Sequence, residues 1–415
     1  MQNLQRVIIS LLLTFLFVNS GISQQWQLKA PMPTARKGMA VAVLDNNIWV
    51  IGGSQIRHTV LSTVEVYDPD TDTWNTDFPA LNVARENATA QVWNGKIYVF
   101  GGRQDHNVIA DVEVYDPDQG SWQIIGQMPN PRFGMASVVV DTAIWLIGGT
   151  GGAGMNSDQV SIYYPQSNRW ETLSARLNFP RGAPMAARIS GKILVFGGIY
   201  FGPLKNYEIF DPQTQNWQVG GEMIYGCGSA GFAVNGNQVW IIGGIGQSGL
   251  LKKVQIGYWQ GDTTLWREAP NLNVGRRELV AAIVNNRLYV IGGQGEGGMG
   301  GAISNTTEVL DVVTGISAVP RVLPSTQVLI KNFPNPFNGE TVIQIGMPER
   351  DEVELKIYDA LGREMVRLYK GTLVAGEHQF RFDANFAGIQ FPSGIYFIRL
   401  KGKKFSASQR IHLIK

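Results

Sequence analysis

The sequence predicts an all-β protein, with a six-bladed β-propeller followed by a small β-sandwich and preceded by a signal peptide. Three observations carry this expectation. An apolar run ending in two glycines recurs six times, at Gly52-Gly53, Gly101-Gly102, Gly148-Gly149, Gly197-Gly198, Gly243-Gly244 and Gly292-Gly293, with a mean period of 48 residues, the length of a four-stranded unit. The 49 glycines, 13 tyrosines and 11 tryptophans, with no collagen-like triplet, suit short strands joined by tight turns. After Gly315 the period stops, and a different pattern of alternating strands begins near Leu329.

From the N-terminus, residues 1–23 read as the signal peptide. Arg6 supplies the positive start, and Val7 to Val18 is a 12-residue apolar run, too short to span a bilayer. Gly21 and Ser23 offer the small residues of a cleavage site, so maturation near Gln24 is expected. No other stretch is long and apolar enough for a transmembrane helix, so the mature chain is expected to have no transmembrane segment. The lone Cys227 excludes an intrachain disulfide. Residues 24–317 hold 20 Lys+Arg against 24 Asp+Glu, a mildly acidic balance that argues against a nucleic-acid surface.

Each repeat has one internal order. A small-residue strand opens it (Met39–Leu44, Ala88–Trp93, Met135–Val140), then a tight polar turn such as Asn94-Gly95, then an apolar strand running into the glycine pair. A third strand ends at Tyr67-Asp68-Pro69, Tyr115-Asp116-Pro117, Tyr163-Tyr164-Pro165 or Phe210-Asp211-Pro212. Seven residues beyond each aromatic stands Trp74, Trp122, Trp170 or Trp217, opening the fourth strand. Small side chains suit the crowded axis, and large aromatics fill the wedge that widens between blades. The fifth copy carries Tyr258 and Trp266, eight apart; the sixth has Leu310 and no following tryptophan. Either the segment Trp26–Leu28 or Ile316–Val319 can supply its outer strand, and closure from the N-terminus would remove an exposed edge.

This order of diglycine, tyrosine and tryptophan resembles the Kelch repeat, over about residues 25–317. The resemblance implies a propeller of 24–317 that most often serves as an interaction platform, with a minority of enzymes that includes a copper oxidase and a sialic-acid mutarotase. The loop after the second strand and the loop joining consecutive blades emerge on one face, so both line one mouth of the central channel. Arg36, Arg85, Arg132, Arg181 and Arg276 recur at matched positions in the interblade loops, with Tyr225 to Cys227 in the fifth. Arg103 and Tyr200, with Arg57, His58, His106, Phe201 and Met299, belong to the other loop set. These residues are the candidate ligand-binding set for a protein or glycan partner, since guanidinium forks suit carboxylates. Bracing of each loop against backbone carbonyls is the alternative reading of the arginines.

An enzyme at the same mouth is the competing class, through carboxylates such as Glu86, Glu278 or Glu296. No cofactor and no metal is expected: His58, His106 and Cys227 are too few for a copper set. Asp68, Asp70 and Asp72 read as an ordinary turn, not a calcium loop. Cys227 reads as a small buried filler, and Gly292 to Gly301 as a loop at the mouth.

Residues 318–328, with Pro320 and Pro324, form the expected linker, and 329–415 an Ig-like β-sandwich of about seven short strands. The opening Asn332-Phe333-Pro334-Asn335-Pro336-Phe337-Asn338, Ile357-Tyr358-Asp359 with Gly362, Ser393 to Phe397 and the terminal Leu413-Ile414-Lys415 resemble the type A C-terminal sorting domain of type IX secretion. The resemblance implies a Bacteroidetes-like source, the type IX machinery as partner of 329–415, and a destination at the outer-membrane surface or in the medium by way of the periplasm. Strand patterning alone allows an accessory carbohydrate-binding or stalk module instead.

Overall fold

A computed structural model describes residues 25–56, 59–261, 263–296, 301–312, 328–333, 335–373, 376–384 and 391–414. The expected signal peptide 1–23 and residues 318–327 of the expected linker lie outside them. The chain divides into two compact units, Met1–Val312 and Val313–Lys415.

In the first unit the repeats form six four-stranded antiparallel sheets, in the predicted strand order. Blade 1 is Ala40–Leu44, Asn47–Ile51, Val64–Asp68 and Thr73–Asn75; blade 2 is Thr89–Trp93, Lys96–Phe100, Asp111–Asp116 and Ser121–Gln127. Blades 3, 4, 5 and 6 begin with Ala136–Val140, Met185–Ile189, Gly231–Asn235 and Val280–Val284. The hairpin between the first two strands of blade 1 turns at Asp45 and Asn46, whose φ of 51° and 60° are those of a primed turn.

Register explains the aromatic repeat. Tyr67 pairs across the sheet with Trp74, Tyr115 with Trp122, Tyr163 with Trp170 and Phe210 with Trp217. In blade 5 the partner of Trp266 is Gly257, so the spacing of eight moves Tyr258 off the aromatic position. Gly257 leaves room for Trp266, because a Cβ there would lie 2.9 Å from the indole. In blade 6 the fourth strand is Gln27–Lys29, with Gln27 opposite Val309. That register places Trp26 beside Leu310, and its indole Nε1 donates to Pro270 O at 2.9 Å. The N-terminal segment therefore closes the propeller.

Six residues, one per blade, encircle the axis in a closed ring of backbone hydrogen bonds. Gly38 N–H donates to Glu278 O, Asn87 to Gly38, Gly134 to Asn87, Ala183 to Gly134, Ser229 to Ala183 and Glu278 to Ser229, at 2.6–3.3 Å. All six take left-handed φ values between 47° and 63°, the conformation that turns each amide toward the preceding blade. Four of the six are not glycine, so the ring holds a conformation that L side chains disfavour.

The second unit consists of a three-stranded sheet (Leu329–Phe333, Glu340–Met347, Gly376–Asp383) and a four-stranded sheet (Glu364–Leu373, Asp351–Asp359, Gly394–Gly402, Ser406–Leu413). Ile343 and Ile345 from one sheet and Leu355, Ile357, Ile398 and Leu400 from the other share one buried core. The Asn-Pro-Phe segment fastens the start of this unit to its end. Asn335 accepts from His412 N and donates to Arg410 O, and Phe337 exchanges backbone hydrogen bonds with His412 and Ile414 while its ring packs edge-on to Phe382.

Candidate functional site

The loops after the second strands and between blades do share one face, but five of the eight predicted site residues are not presented there. Arg36, Arg85, Arg132, Arg181 and Arg276 are each at most 3% exposed. Each guanidinium Nη1 donates to the carbonyl of the first glycine of its own blade's pair, 16 residues on: Gly52, Gly101, Gly148, Gly197 and Gly292, at 2.7–3.1 Å. The backbone carbonyl of each arginine accepts from the second glycine of the preceding blade, as Gly53 N does to Arg85 O at 2.9 Å. A Cβ on Gly101, whose φ is +60°, would stand 2.2 Å from Arg132 O, so the glycine pair makes room for the next blade's arginine.

Four of these arginines are closed off by a carboxylate two residues before the third-strand aromatic position. Arg36 pairs with Glu65, Arg85 with Glu113 at 2.7 Å, Arg181 with Glu208 at 2.5 Å and Arg276 with Glu308. Burial presses all four guanidiniums toward the neutral form, and the carboxylates oppose it. In blade 3 the carboxylate is replaced by Ser161, whose hydroxyl accepts from Arg132 at 2.7 Å; burial takes that guanidinium down to about 10. In blade 5 both charges are gone together. Cys227 stands for the arginine and Gln255 for the glutamate, and Gln255 Oε1 still accepts from Ile224 N and Tyr225 N, as Glu208 does from Asn178 N and Phe179 N. The arginines are interblade latches, and the ligand-binding role expected of them is corrected on this geometry. Cys227 is buried, and desolvation pushes its thiol up to about 12.

What lines the mouth falls into two arcs. Blades 6, 1 and 2 carry charge: Lys37 Nζ meets Glu278 at 2.7 Å, and Arg103 Nε meets the buried Glu86 at 2.8 Å, with Ser54 as a second donor to Glu86. The Arg103 guanidinium also covers the Phe133 ring at 4.8 Å. Arg277 donates to the neutral Gln294 amide oxygen at 3.1 and 3.2 Å. Blades 3 and 4 carry apolar tips, Met155 and the Tyr200-Phe201 pair, whose ring centroids are 4.5 Å apart. Phe201 is 97% exposed with φ +55°, a strained backbone that holds a large ring in water. Tyr225, half-buried, donates to Glu268 beneath the Lys253 ammonium. Of the predicted set, Arg103, Tyr200 and Tyr225 are thus accessible on this face. Arg57, His58 and Met299 lie outside the described residues. Sequence reasoning missed Lys37, Arg277 and the glutamates that close the arginines; the signal for the latter was the Glu-x-aromatic repeat Glu65-Val66-Tyr67, Glu113-Val114-Tyr115 and Glu208-Ile209-Phe210.

Comparison with known proteins follows the same division of the chain. The KLHDC2/KLHL20/DRC7 Kelch-repeats domain matches residues 10–198, and the Kelch motif matches 181–224 and 275–316. This is a Kelch-repeat protein. The Kelch-repeat chain is 30% identical over 277 residues to Kelch-like protein 25 of Xenopus tropicalis, covering 64% of this chain and 38% of that one. It is 25% identical over 249 residues to Beta-scruin of Limulus polyphemus, covering 56% and 22%. The Kelch-repeat chain thus spans well under half the length of these curated relatives. The solved structure of YjhT superposes with a TM-score of 0.59 at 16% identity, covering 70% of this chain and 98% of that one, which shows the fold. Residues 331–414 of the Kelch-repeat protein match the secretion system C-terminal sorting domain, so the second unit is a type IX sorting domain and marks the protein for export.

Proposed function

We propose that this protein is an exported recognition module, carried out by the type IX machinery through residues 329–415, that binds a peptide or glycan at the propeller mouth. The observation that carries the proposal is the two-arc rim: paired charges around Arg103, Glu86, Lys37 and Glu278 on one side, and the strained, exposed Phe201 beside Tyr200 on the other. A ligand with a polar or acidic group and a flat apolar face would engage both. Tyr225 extends the apolar arc. Glycan and peptide arrays test this with two variants that spare the latches. Phe201→Ala, at an almost fully exposed side chain, is expected to weaken the best array ligand about 2–10-fold from lost stacking. Arg103→Ala is expected to weaken it by about 10-fold or more. Unchanged binding in both rules the mouth out. The latch variants Arg85→Ala, Arg132→Ala and Arg181→Ala do not serve, because they would damage the fold.

Export is tested separately. Removing residues 329–415 leaves the propeller core intact and is expected to trap a folded, protease-resistant propeller in the periplasm, read by fractionation and immunoblot. Truncated protein outside the cell would overturn the address. A carbohydrate-active enzyme at the same mouth is the second reading, favoured by one observation: Glu86 and Glu278 both stand on the rim next to cations. Turnover of an array-positive glycan, lost in Glu86→Gln with binding retained, would establish it.

A further inference from the structure

The opposite end of the channel is built differently from the mouth. There the innermost strands enclose a cavity of about 480 Å³. The penultimate residue of each innermost strand lines it: Val43, Val92, Val139, Val234 and Ile283 in five blades, and Arg188 in blade 4. Val43 and Val234 are each 37% exposed, so the aliphatic ring is open to solvent. Higher in the cavity Phe232 adds an aromatic wall. The polar side chains in the wall satisfy one another: Gln91 Nε2 donates to Ser137 O at 2.9 Å and to Ser137 Oγ at 3.1 Å. Arg188 is the one charged residue among those lining the cavity. Its only ion-pair partner among the described residues is Asp141 at 2.6 Å, with the two side chains 36% and 72% exposed. An exposed pair of that kind contributes little to stability, so a second carboxylate can take the guanidinium at little cost.

We infer that this end of the channel is a binding site for a small amphiphilic carboxylate, whose alkyl or aryl part enters the aliphatic ring while its acid group meets Arg188. The volume lies within the range of small-molecule pockets, and an apolar wall with one fixed polar group is how such pockets orient a ligand. The guanidinium fork selects a carboxylate over a neutral or cationic head group. The site lies toward the end of the channel away from the mouth, where the innermost strands run out.

The test is calorimetric titration of the mature full-length protein with decanoate, 1-decanol and decyltrimethylammonium. Decanoate is expected to bind with one-to-one stoichiometry and the decyl cation not at all. Arg188→Met keeps the aliphatic stem and removes the charge; it should weaken decanoate about 10-fold or more and leave decanol unchanged. Val234→Trp, at a partly exposed position, should fill the cavity and abolish binding of both, and Val43→Trp repeats that test from blade 1. Thermal melts establish that each variant is folded. Equal binding of the carboxylate and the cation, or decanoate affinity unchanged in Arg188→Met and in a folded tryptophan variant, overturns the inference.

Discussion

Glu208→Ala is expected to destabilise the propeller by about 3–5 kcal/mol, because it strands a buried guanidinium. Glu208 and Arg181 are both fully buried, 2.5 Å apart, and Glu208 also accepts from the backbone amides of Asn178 and Phe179. Removing the carboxylate leaves Arg181 charged and two N–H groups without acceptors. The measurement is urea unfolding of the propeller unit, where the midpoint should fall with the slope unchanged. Blade 5 shows how the loss can be avoided. There Cys227 and Gln255 replace both charges, and Gln255 retains the two amide hydrogen bonds. Arg181→Met combined with Glu208→Gln imitates that solution and is expected to cost less than Glu208→Ala alone. If the double replacement is the worse of the two, the latch is held by the Gly197 carbonyl and packing more than by charge balance.

The latch also shows what the sequence disclosed and what it withheld. The six-fold repeat was readable from Gly52-Gly53 to Gly292-Gly293 because a propeller repeats its sterics as well as its strands: each pair sits where the neighbouring arginine carbonyl approaches. Closure by Trp26 was readable as one of two options, since an indole was missing from blade 6 and one stood unused upstream. The arginine period was equally plain, but direction was not. A loop position on the ligand face is compatible with a side chain turned outward or folded back, and the choice is decided by the Glu-x-aromatic partner about 30 residues later, on a different strand. Read together, the two periods state the answer, since Cys227 and Gln255 depart in the same blade. The altered spacing of blade 5 was visible, but its cause was not. Tyr258 lies one residue from the aromatic position, and only register reveals that Gly257 occupies it. Phe201, almost fully exposed, and the half-buried Arg277 repeat no residue type from blade to blade, so repeat reasoning had no means of weighting them.

Trp26→Ala is expected to cost about 3–5 kcal/mol, the range for emptying a buried tryptophan site. The residue is 9% exposed, packs in the cluster that includes Leu272 and Leu310, and donates to Pro270 O across 244 residues of chain. Its effect should exceed that of a tryptophan within a blade, since the strand it anchors is the one that closes the ring. Gln27–Lys29 has only three residues to hold a partner about 280 residues away, and a flexible loop of that length would cost about 5 kcal/mol to close. Stacking of the intervening blades lowers that cost, so closure and stacking depend on one another. Further stitches run to blade 1, where Asp72 accepts from Ala30 N at 2.8 Å and Trp74 Nε1 donates to Ala30 O at 2.9 Å. Losing Trp26 should therefore loosen the outer edge of blade 6 before the rest. Hydrogen exchange is expected to show the amides of Thr307–Asp311 losing protection first, with the innermost strands Val280–Val284 and Ala40–Leu44 losing it next. Uniform loss over all six blades would mean that the ring opens as one unit, and protection unchanged at Thr307–Asp311 would mean that Trp26 does not hold the closing strand.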